Sequence, residues 1–244
     1  MKKFLLLMSV IICFSSFSAL AGADTLWTQL LPMSISNVVF APDGQSIYAS
    51  GRAEVQNRVM QFDLQGKLLN TYDTIGRIKQ FSKDGKYYWT TNCEKYDYAT
   101  LRFIDTLKID YIDKPTGYAI NEDNDIGIAF QVPSVRLDGK QLFVFKPSDM
   151  SLIKSVSHPE DGWQFRNVDI SANGKYYSVA LRKFTLNNKY EFVAQSRVEI
   201  WDAVSFQPIK VLLDSDNIVF APKFSPDGKY LGVSYDGKKM WLYN

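Results

Sequence analysis

The chain has one histidine among its 244 residues, His158, in the segment SHPEDGWQF. Any Ser-His-Asp or Cys-His nucleophilic device would have to be built on that imidazole. No G-x-S-x-G elbow accompanies it, and GVSYD at Gly232 departs from that pattern at its last position. The bland reading of His158, a loop residue beside a turn-favouring proline, is the better supported one. A multi-histidine metal centre is impossible. Zinc would need His158, Cys93 and carboxylates from distant segments, with no local ligand spacing. The stretch NEDNDIG from Asn121 is rich in oxygen donors but lacks the rest of a calcium loop, and it reads as a turn. LDSDN at Leu213 is no stronger, and phosphate-binding and dinucleotide glycine motifs are absent. No catalytic residue, metal ligand or cofactor is therefore assigned.

Cysteine usage and charge narrow the setting. The chain opens MKKFLLLMSVIICFSSFSALAGA, with Lys2 and Lys3, then an apolar run from Phe4 to Phe14, then Ala-x-Ala patterns ending at Ala21 and Ala23. This is the layout of a secretory leader. The apolar run is shorter than the roughly 20 residues of a membrane span, which disfavours an anchor. Ile12 before Cys13 is bulky for a lipid-attachment site. The expected organisation is a signal peptide over residues 1–23 and one domain over residues 24–244, periplasmic or secreted. No later apolar run is long enough to span a bilayer. Two of the 28 Lys and Arg residues leave with the leader, so 26 basic side chains balance 26 acidic ones. That balance lacks the basic excess of a polyanion binder, and nucleic acid is not expected as a partner. Cys93 is then alone, without an intramolecular disulfide. It reads as a small, half-buried apolar residue, with a reactive or intermolecular thiol as the alternative.

The elements that must position these residues repeat. A turn-centred phrase recurs as FAPDGQSIYAS at Phe40, FSKDGKYYWTT at Phe81, INEDNDIGIAF at Ile120, ISANGKYYSVA at Ile170 and FSPDGKYLGVS at Phe224. The starts are 41, 39, 50 and 54 residues apart. Asp-Gly and Asn-Gly mark tight hairpins because such turns need positive φ; the third copy has Asp123-Asn124 in that place. Strand-like runs flank each turn, and a third run follows: NRVMQFDL, YATLRFID, KQLFVFK, SRVEIWD and KKMWLYN. A fourth, KLLNTY, TLKIDYI, SLIKSV or QPIKVL, follows in four copies. The segment TLWTQLL, Thr25 to Leu31, stands before the first copy where the fourth run stands before the later ones. The spacing therefore predicts an all-β, five-bladed β-propeller of four-stranded antiparallel blades, with the last blade closed by the N-terminal strand. A β-sandwich or an open β-solenoid fits the turn signals but not the split last blade.

The phrase FSPDGK resembles the repeats of WD40-like propellers, particularly the PD40 type of the Tol-system propeller. VEIWDAVSFQPIKVL, from Val198, is similar to the third strand and following turn of a WD repeat. The resemblance spans nearly all of the chain after the leader and implies a bacterial exported propeller. It says little about activity, because such propellers serve many roles. Hydrolases with propeller domains need a further catalytic domain, for which no chain remains. Glycoside-cleaving propellers place paired carboxylates on the innermost strands. The residues preceding the repeat starts are Val39, Gln80, Ala119, Asp169 and Lys223, only one of them acidic. An ion pair between Asp169 and Lys223 of neighbouring blades is the expected use.

Loop length then suggests where a partner binds. Connections within the repeat phrase are short. Those from Gly51, Asn92, Val132, Ser157 and Arg182 are long and lie on the opposite face, where binding residues concentrate. The residues suited to anchor an interface there are Tyr96, Arg136, His158, Trp163, Lys183 and Tyr190. The favoured reading is a non-catalytic exported propeller that binds another secreted or envelope protein through its long-loop face. The alternative is a small-molecule-binding or hydrolytic propeller with an axial pocket.

Overall fold

A computed structural model describes residues 27–244 except 55, 74–75, 110–114, 132–140, 187–191, 217–218 and 236–238. The described residues form five antiparallel sheets around one axis, a five-bladed β-propeller. The first blade holds β1 (Ser34–Phe40), β2 (Ser46–Ala53), β3 (Gln56–Asp63) and β4 (Leu68–Tyr72). The second holds β5 (Ile78–Phe81), β6 (Tyr87–Thr90), β7 (Glu94–Asp97) and β8 (Phe103–Thr106). The third holds β9 (Gly117–Asn121), β10 (Ile126–Phe130), β11 (Gln141–Lys146) and β12 (Ser151–Ser157). The fourth holds β13 (Gln164–Ile170), β14 (Tyr176–Leu186), β15 (Phe192–Asp202) and β16 (Pro208–Ser215), and the fifth holds β17 (Val219–Phe224), β18 (Leu231–Tyr235) and β19 (Lys239–Tyr243). Among the described residues no helix is long and apolar enough to cross a membrane.

The repeated phrase builds the hairpin between the first two strands of each blade. Gly44, Gly85, Gly174 and Gly228 all have φ between 65° and 71°, and the N–H of each donates to the carbonyl three residues earlier. An L side chain is disfavoured at such φ, which explains the glycine. In the third copy the left-handed residue is Asp125 (φ 48°), whose N–H donates to Glu122 O. The turn thus sits one residue later than the Asp123-Asn124 alignment implies.

Adjacent blades are joined near the axis by one recurring device. A side chain of an inner strand bonds the backbone of the next blade. Asn37 Nδ2 donates to Ile78 O (2.7 Å), Lys79 Nζ to Tyr118 O, and Asn121 Nδ2 to Ser171 O (2.9 Å). At the fourth junction the polarity reverses: Phe224 N–H donates to Asp169 Oδ2 at 2.8 Å. Lys223 Nζ completes that contact at 2.5 Å from Asp169 Oδ1, the inter-blade ion pair expected from sequence. Among the described residues no inner-strand side chain makes the corresponding bond from the fifth blade to the first.

Three expectations are corrected. In the second blade the third strand is EKYD and the fourth FIDT, not YATLRFID and TLKIDYI. Cys93 adopts φ 59° and allows a tight turn after β6, and Asp97 then caps the Thr100 N–H to start another. The segments from Gly51 and Arg182 are largely strand rather than loop, because their alternating side chains extend the hairpins β2–β3 and β14–β15. The N-terminal closing strand is not formed among the described residues: residues 27–31 carry no strand, and the fifth sheet has three strands in the order β17-β18-β19. Instead Trp27 Nε1 donates to Leu64 O and Gln29 Nε2 to Gly66 O, both in the turn between β3 and β4. Trp27, Leu31 and Met33 pack over Ala49, Met60 and Phe62. Trp27, half-buried, thus covers the apolar face of the first blade instead of extending the fifth. Thr25 and Leu26 lie outside the described residues.

Candidate binding site on the long-loop face

The fourth blade differs from the others in the length of its central hairpin. Its β14 and β15 are 11 residues each and remain paired from Tyr176↔Asp202 to Leu186↔Phe192. Their flanking strands stop earlier. β13 pairs with β14 only as far as Gln164↔Arg182, and β16 begins pairing at Ser196↔Ser215. Among the described residues, 183–186 and 192–195 therefore pair only with each other. At about 3.3 Å per residue this two-stranded arm extends roughly 13 Å beyond the blade. Phe184 is 43% exposed on the arm, with the Arg182 guanidinium 4.7 Å from its ring centroid.

A lattice of hydrogen bonds and ion pairs holds the root of the arm. His158, in the connection from β12 to β13, is buried, and both ring nitrogens are engaged. Its Nδ1 lies 3.0 Å from both the Glu160 N–H and the Glu160 carbonyl oxygen, and its Nε2 lies 3.2 Å from Glu199 Oε2. The Glu199 carboxylate, itself buried, also accepts from Trp201 Nε1 (2.8 Å) and Arg197 Nη1 (3.4 Å). Arg197 reaches outward to Glu160 (3.0 Å) and Asp214 (2.8 Å), and its guanidinium lies 4.4 Å from the Trp163 ring centroid. A donor from Trp163 Nε1 (3.1 Å), with Arg197 beside it, holds the Glu160 carboxyl below the usual carboxylate range. Lys183 Nζ, at the foot of the arm, donates to Asp161 O at 3.0 Å. A buried carboxylate is tolerable only with this density of donors.

The structure thus brings together three residues singled out from sequence, His158, Trp163 and Lys183. His158 and Trp163 are buried, so they brace the surface rather than form it. Tyr96 lies away from them, on β7, stacked on Tyr88 with ring centroids 5.2 Å apart. Arg136 and Tyr190 lie outside the described residues. Glu199, Arg197 and Glu160 were missed. The signal available for them was that an inward-facing Glu in SRVEIWD contradicts the apolar alternation of a strand and so demands buried donors.

The two described cavities open on the other face, by the short turns. One of about 150 Å3 lies between the second and third blades and includes Asp84, Lys95, Glu122 and Asp125. Lys95 lines it, its Nζ donating to Ser148 O at 3.0 Å and lying 4.4 Å from the Tyr87 ring centroid. The other, of about 390 Å3, lies between the fourth and fifth blades. Among the described residues no group of three or more His, Cys, Asp or Glu is arranged to hold a metal ion.

No family model and no curated protein matches the chain. Solved structures do share its fold. One is Kuenenia stuttgartiensis hydrazine synthase, with a TM-score of 0.58 and 18% sequence identity, covering 83% of this chain and 62% of that one. This chain therefore spans less than two thirds of the length of that neighbour. At this identity the likeness carries the propeller fold alone.

Proposed function

We propose that this chain is a non-catalytic WD40-like propeller, exported to the periplasm or beyond, that binds another secreted or envelope protein through its long-loop face. The observation that carries this reading is the arm of residues 183–186 and 192–195, which projects past its own blade with no flanking strand among the described residues. Its two strand edges, unpaired among the described residues, offer the backbone hydrogen bonds by which an extended partner segment can add to a sheet. Phe184 and Arg182 supply an aromatic anchor beside a cation, the side-chain types that dominate interface energies. The buried lattice of His158, Glu199 and Arg197 fixes the arm's root and reduces the ordering cost of binding. Both nitrogens of the lone histidine are committed to that lattice, which favours a bracing role over proton transfer. The axial residues Asp169 and Lys223 are likewise committed to each other, which weighs against an axial pocket.

The test is capture of a partner from an envelope extract by the immobilised mature chain, measured beside thermal melting. Phe184→Ser is expected to reduce capture at least about tenfold, as truncation of an interface hot spot does, with the melting temperature unchanged. Gln45→Ala and Lys86→Ala on the short-turn face are expected to leave capture intact. Loss of capture in the turn-face variants with retention in Phe184→Ser would place the partner on the wrong face for this reading.

A further inference from the structure

Two arginines at the long-loop end of the blades are each met by a carboxylate of the adjoining strand. Arg58 of β3 and Arg197 of β15 hold equivalent places, opposite Gly51 and Leu181. Arg58 Nε pairs with Asp73, just after β4, at 2.5 Å, and Arg197 Nη2 with Asp214 of β16 at 2.8 Å. Arg166 and Arg182 depart from this pattern. Arg166 is the bulged residue of β13, between the pairs Phe165↔Leu181 and Asn167↔Ala180, and a bulge re-aims a side chain. Arg182 stands opposite Gln164. Arg166 Nη2 donates to Gln164 Oε1 at 3.1 Å, which turns its guanidinium back toward the level of Arg182. Among the described residues neither arginine makes an ion pair, and the Nε–H of each is buried without an acceptor.

Two like charges at one strand end, both half-buried, repel each other. Burial, and after it the charge of Arg182, lowers the Arg166 pKa. The fold thus neutralises Arg58 and Arg197 from within and leaves this pair without an anion. The Nη groups not engaged by Gln164 are open to solvent, where an anion can reach them. Arg182 lies over the Phe184 ring. Contact with an aromatic face holds a guanidinium while leaving the N–H groups along its edge free to donate. Such edges match the two oxygens of a carboxylate.

We propose that Arg166 and Arg182 bind one carboxylate between them, presented as an Asp or Glu side chain by the segment that docks along the arm. The source of the carboxylate rests on the arm reading above; the anion site itself stands on the arginine pair. β14 leaves its last β13 partner at Arg182, so a segment that adds to residues 183–186 passes beside this pair. The partner segment is therefore acidic at its end nearest the blade, and the pair sets its register on the arm.

Acetate and its neutral isostere acetamide, titrated into the mature chain at low salt, test the site through the guanidinium nitrogen NMR signals. Acetate is expected to shift Arg166 and Arg182 along one saturating curve and to leave Arg58 and Arg197 unmoved, because these already hold aspartates. Acetamide is expected to shift none of the four. Arg182→Gln is expected to weaken the acetate response of Arg166 at least about tenfold. Arg166→Gln is expected to melt no lower than the parent at low salt, since it relieves the repulsion. Acetate is expected to raise the melting temperature of the parent but not of that variant. Shifts that do not saturate, equal shifts from acetamide, or a lower melting temperature for Arg166→Gln would each overturn the site. Capture from envelope extract tests the source of the carboxylate, and Arg166→Gln is expected to reduce it at least about fivefold. Capture lost in Phe184→Ser but intact in Arg166→Gln would overturn the acidic partner and spare the arm. Capture lost in Arg166→Gln but intact in Phe184→Ser would count against the arm and spare the anion site.

Discussion

Ile170 and Phe40 begin the same repeat phrase, yet Ile170 is 8% exposed and Phe40 is 65% exposed. The difference lies in the neighbouring blade. Between the third and fourth blades, Phe130, Leu142 and Val144 interlock with Phe165, Val179 and Trp201 in one buried cluster. At the seam between the fifth and first blades, Val38 and Phe40 on one side and Met240 and Leu242 on the other remain exposed. The peripheral half of the first blade escapes this. Trp27 and its neighbours cover Met60 and Phe62, which are 6% and 2% exposed. The same local pattern thus yields a core residue or a surface residue according to what packs on it.

The largest effect expected from this comparison is at Trp201. Trp201→Ala removes a buried ring from the closed junction and strips Glu199 of its shortest donor, so a loss of about 3–5 kcal/mol is expected in urea denaturation. The matched pair sharpens the contrast. Ile170→Ala should cost about 2–5 kcal/mol and Phe40→Ala less than about 1 kcal/mol. Equal costs would mean that the seam is closed in solution.

Lys79 tests the junction between the second and third blades through pH. Burial lowers its pKa from 10.5 to about 8, against the pull of nearby Cys93 and Asp169. Between these two values the unfolded chain holds a proton that the folded chain does not, so stability from this group rises with pH. The cost of burying the ammonium is complete below pH 8 and relieved toward pH 10.5. The stability of the parent minus that of Lys79→Met should therefore increase across that window by on the order of 3 kcal/mol, one unit being about 1.4 kcal/mol. A flat difference would mean that the ammonium is hydrated and the junction open.

Trp27→Ala should cost about 2 kcal/mol, from lost apolar burial and one hydrogen bond. It should also promote aggregation by uncovering Met60 and Phe62. A variant that melts like the parent would show that the segment only rests on the blade. The smallest effect concerns Cys93. The thiol is fully buried, and burial pushes its pKa up to about 12, against the pull of Lys79. Little thiolate forms at pH 8, so iodoacetamide should label it only after unfolding. Rapid labelling of the native chain would show that this junction opens.

The repeat was legible because a tight hairpin is a local event. Its positive φ demands Gly, Asn or Asp at one position, and the flanking alternation follows from the strand's period of two. Five such phrases at about 40 to 54 residues were enough to read five blades, and the position of Asp169 beside Lys223 was enough to pair them. The candidate site was half legible. His158, Trp163 and Lys183 stood out by type, but the braced arm did not. The stretch from Arg182 to Ala194 reads as a loop until Phe192, Ala194 and Gln195 are seen paired with Leu186, Phe184 and Lys183.

The amino-acid sequence by itself determined the local geometry: where each hairpin turns, which strand face is apolar, and how many blades the chain encodes. These follow from torsional preferences and short-range periodicity, which each segment carries alone. Only the tertiary structure decided which apolar faces are covered, that Glu199 is met by His158 and Trp201, and that Trp27 docks on the first blade. Burial and hydrogen-bond satisfaction depend on groups that each segment cannot supply for itself, as His158 and Glu199 meet at a separation of 41 residues and Trp27 and Leu64 at 37. Their energies are set by what the fold brings against each group, and no single segment encodes that.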